Sequence, residues 1–306
     1  MTDIDFTGVF PAMTTPFASD GRIDHETLAE DAQRLEDAGV AGLVPAGSTG
    51  ESATLTHDEH IEVVETVVEA VDDVPVIAGS GSNSTHEAVD LSRRAAGAGA
   101  DALLLISPYY NKPEQAGFRQ HFRAVADAVD LPQIVYNVPG RTGQNIEPET
   151  VAELATHENI RAYKAASGDV AQISEVVEHT RTEDLAVLSG DDALTLPICS
   201  LGGRGVISVA GNVEPERTVE LVDAALNGDL DRARELHFEL SPLFRQLFAE
   251  TNPIPVKAAM AIRGHAPETL RSPLTELSEG PREELERILA ALDGTSEAGV
   301  EPTEAA

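Results

Sequence analysis

The sequence predicts an α/β protein, a (β/α)₈ TIM barrel with an appended C-terminal helical segment. Short apolar runs alternate with amphipathic stretches, eight such strand-and-helix units follow one another, and the pattern then becomes purely helical. A doubly wound open sheet is the structural alternative, and periodicity alone does not exclude it. The number and regularity of the units favour the closed barrel.

The predicted strands are short apolar runs that end at turn residues. They span residues 8–13, 42–46, 74–78, 102–106, 133–137, 160–164, 186–189 and 205–209.

Helices are predicted between the strands. Residues 24–38 carry apolar or small side chains at intervals close to 3.6 residues. Stretches 56–71 and 84–98 each begin with a hydroxyl residue that is followed three positions later by Glu59 or Glu87, which is the pattern of a capping box.

The region after the eighth strand is expected to be helical over residues 215–227, 230–250, 255–263 and 281–292. No linker rich in Pro, Gly or Ser separates it from the barrel. We therefore expect a barrel over residues 1–212, a helical segment packed on it over residues 213–293, and a disordered acidic tail over residues 294–306.

Composition is that of an ordinary globular protein, with 42% hydrophobic and 24% charged residues. No apolar run approaches the roughly 20 residues that cross a bilayer, and residues 1–10 lack the pattern of a signal peptide. Cys199 is the only cysteine, so an intrachain disulfide is impossible. We expect a cytoplasmic protein.

The net charge of −32 argues against nucleic acid or anionic membranes as partners, because the field of the protein repels phosphates. A disordered acidic chain is excluded by the regular apolar pattern. The charge favours a surface adapted to high salt, where screening makes dense acidic charge tolerable.

In a barrel, chemistry is built where strands end and loops begin. The second predicted strand ends in AGSTGE, where glycines flank Ser48 and Thr49. Amide groups in such a turn can bind a carboxylate, and the hydroxyls can bind it or pass protons. An ordinary turn is the alternative. The fourth strand is followed by Tyr109 and Tyr110, for which packing in the core or at an interface is the alternative.

The fifth and sixth strands end in the most reactive groups. Tyr136 can serve as a general acid and base, and the planar fork of Arg141 suits a carboxylate. Lys164 ends a buried strand, where burial lowers its pKa and makes the neutral amine a nucleophile. A surface arginine and a lysine at the barrel rim are the alternatives, and Lys112 and Lys257 are weaker nucleophile candidates.

Other chemistries lack their residues. The chain contains no CxxC, HExxH or GxxxxGK[ST] motif. His57 and His60 lie three positions apart at the start of a helix, but no cysteine or third histidine accompanies them. No metal site is expected.

The strand ends together resemble the dihydrodipicolinate synthase / N-acetylneuraminate lyase family. The resemblance runs from about Gly8 to Leu292 and is carried by ordered motifs: GSTGE at 47–51, YNVPGRTG at 136–143, the strand-end Lys164, SGDD at 189–192, GGRGVISV at 202–209 and ETNPIPVK at 250–257. Two positions depart from the family pattern. Ala165 stands where glutamate is frequent, and Ser48 stands where threonine is frequent.

The resemblance implies a Schiff-base lyase that condenses pyruvate with L-aspartate 4-semialdehyde in diaminopimelate and lysine biosynthesis. It assigns the Schiff base to Lys164, proton transfer to Tyr136, and a relay to Ser48 and to Tyr110 from a neighbouring subunit. Pyruvate would be bound by Thr49, Ile207 and Gly190, and the aldehyde carboxylate by Arg141. No metal or organic cofactor is required.

The resemblance also implies a homotetramer built as a dimer of dimers. L-Lysine would act as a feedback inhibitor at the dimer interface, bound by positions Ala53, His57, His60, Asn83, Glu87 and Tyr109.

Two other functions stay open at the level of the sequence. A 2-keto-3-deoxy sugar acid or N-acetylneuraminate aldolase would share Lys164, Tyr136 and the GSTGE loop, although Arg141 favours a short partner that bears a carboxylate. A catalytically idle regulatory barrel would not need to keep a nucleophile.

Overall fold

The computed structural model describes residues 4–298. Seven parallel strands lie side by side in the order β1-β7-β6-β5-β4-β3-β2. Their bounds are β1 Gly8–Pro11, β2 Ile77–Gly79, β3 Ala102–Ile106, β4 Gln133–Asn137, β5 Ile160–Ala165, β6 Ala186–Ser189 and β7 Gly205–Ser208.

The second predicted strand closes the sheet between β1 and β2. It forms two isolated parallel bridges, Ala12 with Val44 and Leu43 with Val76, instead of a continuous strand. The amide of Val44 donates to Pro11 at 2.9 Å, and the amide of Ile77 donates to Leu43 at 2.8 Å. Eight segments therefore complete the ring, and the predicted barrel is confirmed.

Helices surround the strands and continue beyond the last one. Their bounds are α1 His25–Asp37, α2 His57–Ala70, α3 Thr85–Gly97, α4 Gln115–Ala128, α5 Pro139–Thr142, α6 Pro148–Ala155, α7 Val170–Thr180, α8 Thr195–Ser200, α9 Pro215–Leu226, α10 Leu230–Gln246, α11 Ile254–Ile262 and α12 Glu279–Ala298. No helix within residues 4–298 is long and apolar enough to cross a membrane.

Two capping boxes were predicted, and one of them forms. In α2 the Thr56 hydroxyl accepts from the Glu59 amide and the Glu59 carboxylate accepts from the Thr56 amide. In α3, Ser84 caps the Glu87 amide, but the Glu87 carboxylate bonds to the Ser82 hydroxyl instead of the cap backbone. The prediction for α3 is wrong in this half, because tertiary partners compete for the carboxylate.

The core has three main layers. Side chains that point into the barrel, among them Phe10, Leu104, Ile134 and Ile207, form an inner cluster that also includes Tyr136. A second cluster fills the space between strands and helices, and a third lies among α9 to α12. The inner packing makes the barrel a solid platform for the loops at the carboxyl ends of its strands.

The first helix after the barrel strands belongs to the barrel wall. Val222 of α9 packs against Val9 of β1 and Val206 of β7. Helix α9 thus takes the place of the last barrel helix, although the expected boundary at residue 212 put it in the appended segment. Helix α12 runs to Ala298, into the stretch expected to be disordered, and residues 299–306 lie outside the described residues.

Candidate active site

The carboxyl ends of β4 and β5 bring Tyr136 and Lys164 together. The two residues are register partners on these neighbouring strands. Lys164 Nζ lies 4.2 Å from the centre of the Tyr136 ring. Both side chains are buried, with 6% of Lys164 and 7% of Tyr136 exposed. Parallel strands of one barrel present their last residues at one face, which explains how positions 28 apart in sequence meet.

Burial changes the acidity of the lysine. Desolvation lowers the pKa of Lys164 to about 7, and the positive charge of Arg141 acts in the same direction. The negative charge of Asp192 opposes this shift. An amine with a pKa near neutrality is a nucleophile under physiological conditions.

Asp192 is a buried carboxylate whose role the sequence did not reveal, although it stands inside the SGDD motif. Its oxygens accept from the Ser208 hydroxyl at 2.5 Å and from the amides of Val209 and Ala210 at 3.0 and 3.1 Å. Burial raises the pKa of Asp192 and these hydrogen bonds oppose the rise. The ionised Asp192 carboxylate places a negative charge near Lys164.

Tyr136 is held as a neutral phenol. Burial raises the pKa of its hydroxyl to about 12, while the charge of Arg141 and the side chain of Ser48 favour the ionised form. A phenol of this kind donates a proton readily only when a relay returns one to it. Ser48, whose side chain interacts with the Tyr136 hydroxyl, is half-buried in the loop after the second predicted strand.

A cavity of about 150 Å³ surrounds these groups. Its wall includes Tyr136 and Lys164 together with three predicted binding residues, Thr49, Arg141 and Gly190. An added Cβ at Gly190 would lie 3.0 Å from Lys164 Cε, which is tighter than ordinary packing. Glycine therefore leaves the space that the lysine side chain occupies.

Asn252, just before α11, is a further wall residue that sequence reasoning did not single out. Its Nδ2 donates to Thr49 Oγ1 at 2.9 Å, and its backbone carbonyl accepts from Arg141 Nη2 at the same distance. It connects the two sides of the cavity. The signal available in the sequence was its place in the ETNPIPVK motif.

A second cavity, of about 310 Å³, extends from the site along the barrel mouth. Ser48, Tyr136 and Arg141 border it, and so do Ala53 and Tyr109. Ile207 lies on β7 and is fully buried in the inner barrel, so that its side chain is part of the core. Any contact of Ile207 with a substrate therefore falls to its backbone.

The weaker lysine candidates are placed differently. Lys112 is exposed and its backbone is left-handed, with φ of 48°. Lys257 is buried in an ion pair with Glu51 at 2.5 Å. Neither residue borders the cavity around Lys164.

Both tyrosines of the pair are exposed in the single chain, although Tyr109 also borders the second cavity. Tyr110 is 88% exposed and has a left-handed backbone with φ of 66°, whereas Tyr109 is 38% exposed. Left-handed geometry is uncommon for a bulky side chain. The Tyr110 phenol does not border either cavity near Lys164.

The six positions expected to bind L-lysine are only partly assembled in the single chain. His57 Nε2 lies 3.1 Å from Glu87 Oε1, and the Asn83 carbonyl accepts from Asn111. His60 is buried, and its Nε2 contacts the Gly79 carbonyl at 2.5 Å. Burial lowers the pKa of His60. Of the six positions only His60 is buried, and the other five are exposed or half-buried in the single chain.

Two alternatives for a functional site are less well equipped. A cavity of about 380 Å³ lies at the amino ends of the strands and contains the Arg161–Asp184 ion pair. Chemistry in barrels is found at the opposite end. Within residues 4–298 no group of three or more His, Cys, Asp or Glu side chains is arranged to hold a metal ion.

The fold and the site together define a class of protein, the lyases of the class I aldolase type. The sequence model of the dihydrodipicolinate synthetase family matches residues 5–292, and the chain belongs to this family. The resemblance predicted from the motifs is thereby confirmed.

Individual relatives agree with this membership. The 4-hydroxy-tetrahydrodipicolinate synthase of Haloarcula marismortui is 71% identical over 293 residues, which are 96% of each chain. The crystal structure of dihydrodipicolinate synthase from Aquifex aeolicus is 46% identical with a TM-score of 0.92, and the match covers 94% of this chain and 98% of that one. The enzyme from Cyanidioschyzon merolae, crystallised with lysine bound, is 41% identical with a TM-score of 0.92 over 94% and 98% of the two chains.

Proposed function

We propose that the chain condenses pyruvate with L-aspartate 4-semialdehyde through a Schiff base on Lys164. The activity is that of a 4-hydroxy-tetrahydrodipicolinate synthase, a lyase step of diaminopimelate and lysine biosynthesis. The observation that carries the residue assignment is the buried Lys164 amine, with its pKa lowered to about 7, beside the Tyr136 ring.

The first half of the reaction forms an enamine. The neutral Lys164 amine adds to the keto carbon of pyruvate, and loss of water from the carbinolamine leaves an iminium ion. The iminium is an electron sink, so a methyl proton of pyruvate can leave. Tyr136 would donate and accept the protons of these steps, with Ser48 as its relay partner, and the Asp192 carboxylate would balance the positive iminium.

The second half forms the carbon–carbon bond. The enamine attacks the aldehyde carbon of L-aspartate 4-semialdehyde, and the aldehyde oxygen takes up a proton. The amino group of the product then closes on the iminium carbon and releases Lys164. Every bond that forms on the lysine is thus broken again, and no cofactor enters the balance.

Binding is divided between two sets of groups. Thr49, the backbone at Ile207 and the space left by Gly190 would hold pyruvate against Lys164. Arg141 would bind the carboxylate of the aldehyde, since its guanidinium borders the same cavity and a planar fork suits a carboxylate.

We also propose three properties beyond catalysis. L-Lysine would bind at the six positions Ala53, His57, His60, Asn83, Glu87 and Tyr109 and would inhibit from outside the pyruvate site; a relative crystallised with lysine bound supports this proposal. Exposure of Tyr110 supports a homotetramer in which this residue completes a neighbour's site. A cytoplasmic location is proposed on the biosynthetic role of the relatives.

A substrate comparison tests the function. The purified chain is assayed in high salt with pyruvate plus L-aspartate 4-semialdehyde, and in parallel for cleavage of 2-keto-3-deoxy sugar acids and N-acetylneuraminate. We expect turnover of the semialdehyde alone. Faster cleavage of a sugar acid would identify an aldolase, and pyruvate binding without any turnover would identify a regulatory barrel.

A further inference from the structure

A buried ion pair joins the C-terminal helices to the loop that carries Ser48 and Thr49. Lys257, on α11, donates from Nζ to Glu51 Oε1 at 2.5 Å, and only 1% and 0% of the two side chains are exposed. Removing two charges from water is costly, and a buried pair is therefore weak support for stability as such. Neither residue has a step in the proposed mechanism, which leaves the reason for the pair to be explained.

The carboxylate of Glu51 is fixed at both oxygens. Oε1 accepts from Lys257, and Oε2 accepts from the backbone amide of Arg271 at 3.1 Å. Lys257 is fixed in turn by the Thr269 carbonyl at 2.7 Å and lies 4.2 Å over the Phe17 ring. Glu51 is thus held by one segment of chain that lies about two hundred positions further along the sequence.

The backbone of Glu51 transmits this hold to the loop. Its φ of 53° and ψ of 34° are left-handed, an uncommon state for a residue other than glycine. Its amide donates to the Ser48 carbonyl at 3.3 Å, and its carbonyl accepts from the Thr54 amide at 2.8 Å. A residue keeps such a strained backbone conformation only where its surroundings hold it there. The hydrogen-bonded carboxylate of Glu51 holds its backbone in this way.

The same end of α11 contacts the loop a second time. Asn252, just before the helix, donates to Thr49 Oγ1 at 2.9 Å. Asn252 and Lys257 stand five positions apart and reach Thr49 and Glu51, two positions apart in the loop. The start of α11 therefore fixes both the hydroxyl that borders the cavity and the turn that follows it.

We propose that Glu51 and Lys257 are positioning residues that fix the GSTGE loop for pyruvate binding. The proposal rests on the proposed roles of Ser48 and Thr49. A loop released from α11 would hold the pyruvate carboxylate poorly, whereas Arg141 lies in α5, after β4, and its guanidinium donates to the Asn252 carbonyl outside the loop. The predicted signature is a change in the KM for pyruvate that exceeds the change in the KM for the aldehyde.

The test is the double variant Glu51→Gln with Lys257→Met, which removes both charges at similar side-chain volume and strands neither of them in the core. Arg263→Met is the matched control. It removes the two ion pairs that Arg263 forms with Glu214 and Asp293. Neither pair includes a residue of the GSTGE loop. Both steady-state KM values, kcat and thermal unfolding are measured for each protein.

We expect the double variant to raise the KM for pyruvate about tenfold or more, the size typical of a lost charge-assisted contact. The KM for the aldehyde should stay within about twofold, and unfolding should resemble that of the control. A KM for pyruvate equal to that of the control, or equal changes in both KM values, would overturn the proposal.

A further variant covers the case in which the double variant does not fold. Glu51→Gln alone keeps the side-chain volume and an oxygen that can accept from Lys257 Nζ, but it removes one charge of the pair. It should show the same split between the two KM values, and the absence of that split would count against the proposal. Failure of the proposed function is distinguishable, because the wild-type protein would then lack synthase activity.

Discussion

Lys164 Nζ lies 4.2 Å from the centre of the Tyr136 ring, and the two residues are register partners on adjacent parallel strands. The pairing places a buried amine beside a buried phenol, and both residues lie on strands. Because both residues lie on barrel strands, the geometry of the barrel sets the distance between them. The acid–base properties of each follow from the same burial.

The first prediction concerns pH. Since burial lowers the pKa of Lys164 to about 7, the protonated amine loses nucleophilicity below that pH, and kcat/KM for pyruvate should rise as pH increases through about 7. The negative charge of Asp192 raises this pKa, so Asp192→Asn should move the rise to lower pH. A rise only near the ordinary lysine value of 10.5 would contradict the assignment.

A second prediction separates the two substrates. Arg141→Ala should raise the KM for the aldehyde far more than that for pyruvate, because the guanidinium is proposed to bind the second substrate alone. Loss of a charge-assisted contact costs about 1.5–3 kcal/mol, or about 10- to 150-fold in KM. Exposed Arg181, which directly follows α7, provides the control Arg181→Ala. Equal effects on both substrates would refute the role of Arg141.

The third prediction addresses feedback inhibition. L-Lysine should inhibit the wild type without competing with pyruvate, and a coupling free energy of about 1–3 kcal/mol is typical of such sites. Glu87→Ala should relieve inhibition, because it removes the carboxylate that can pair with an ammonium group. Exposed Asp90 on the same helix gives the control Asp90→Ala. No inhibition of the wild type at millimolar lysine would end the idea.

The fourth prediction concerns assembly. If Tyr110 completes a neighbouring site, Lys164→Met chains mixed with Tyr110→Phe chains should regain activity, because a mixed dimer contains one site with both groups intact. Sedimentation should show larger assemblies at high salt, since the Debye length falls from about 10 Å at 0.1 M to about 3 Å at 1 M and self-repulsion weakens. A fully active monomer, or mixed oligomers without regained activity, would argue against the shared site.

Much of the fold could be predicted because local patterns encode it. The apolar runs at β3, β4 and β6 have the predicted bounds, since buried parallel strands read as continuous apolar segments. The second predicted strand forms only bridges. Pro45 has no amide to donate, and Ala46 is left-handed with φ of 55°, so the ladder cannot extend through them.

Residues of the site were predictable where a strand end displays them, as for Tyr136 and Lys164. Contacts between distant parts of the chain were not. Lys257 pairs with Glu51 across 206 positions, and Glu87 forms contacts with His57 and Ser82 that override its local capping pattern. Tertiary packing brings such partners together, and the periodicity of the sequence does not predict which residues will meet.

The most direct test of the central claim is borohydride reduction in the presence of pyruvate, followed by peptide mass analysis. The reduced Schiff base should add a pyruvate-derived mass to the peptide that contains Lys164, and Lys164→Met should remain unlabelled. Folding of the variant is checked by its thermal unfolding. A label on Lys112 or Lys257 in the wild-type protein, or labelling that persists in Lys164→Met, would contradict the account.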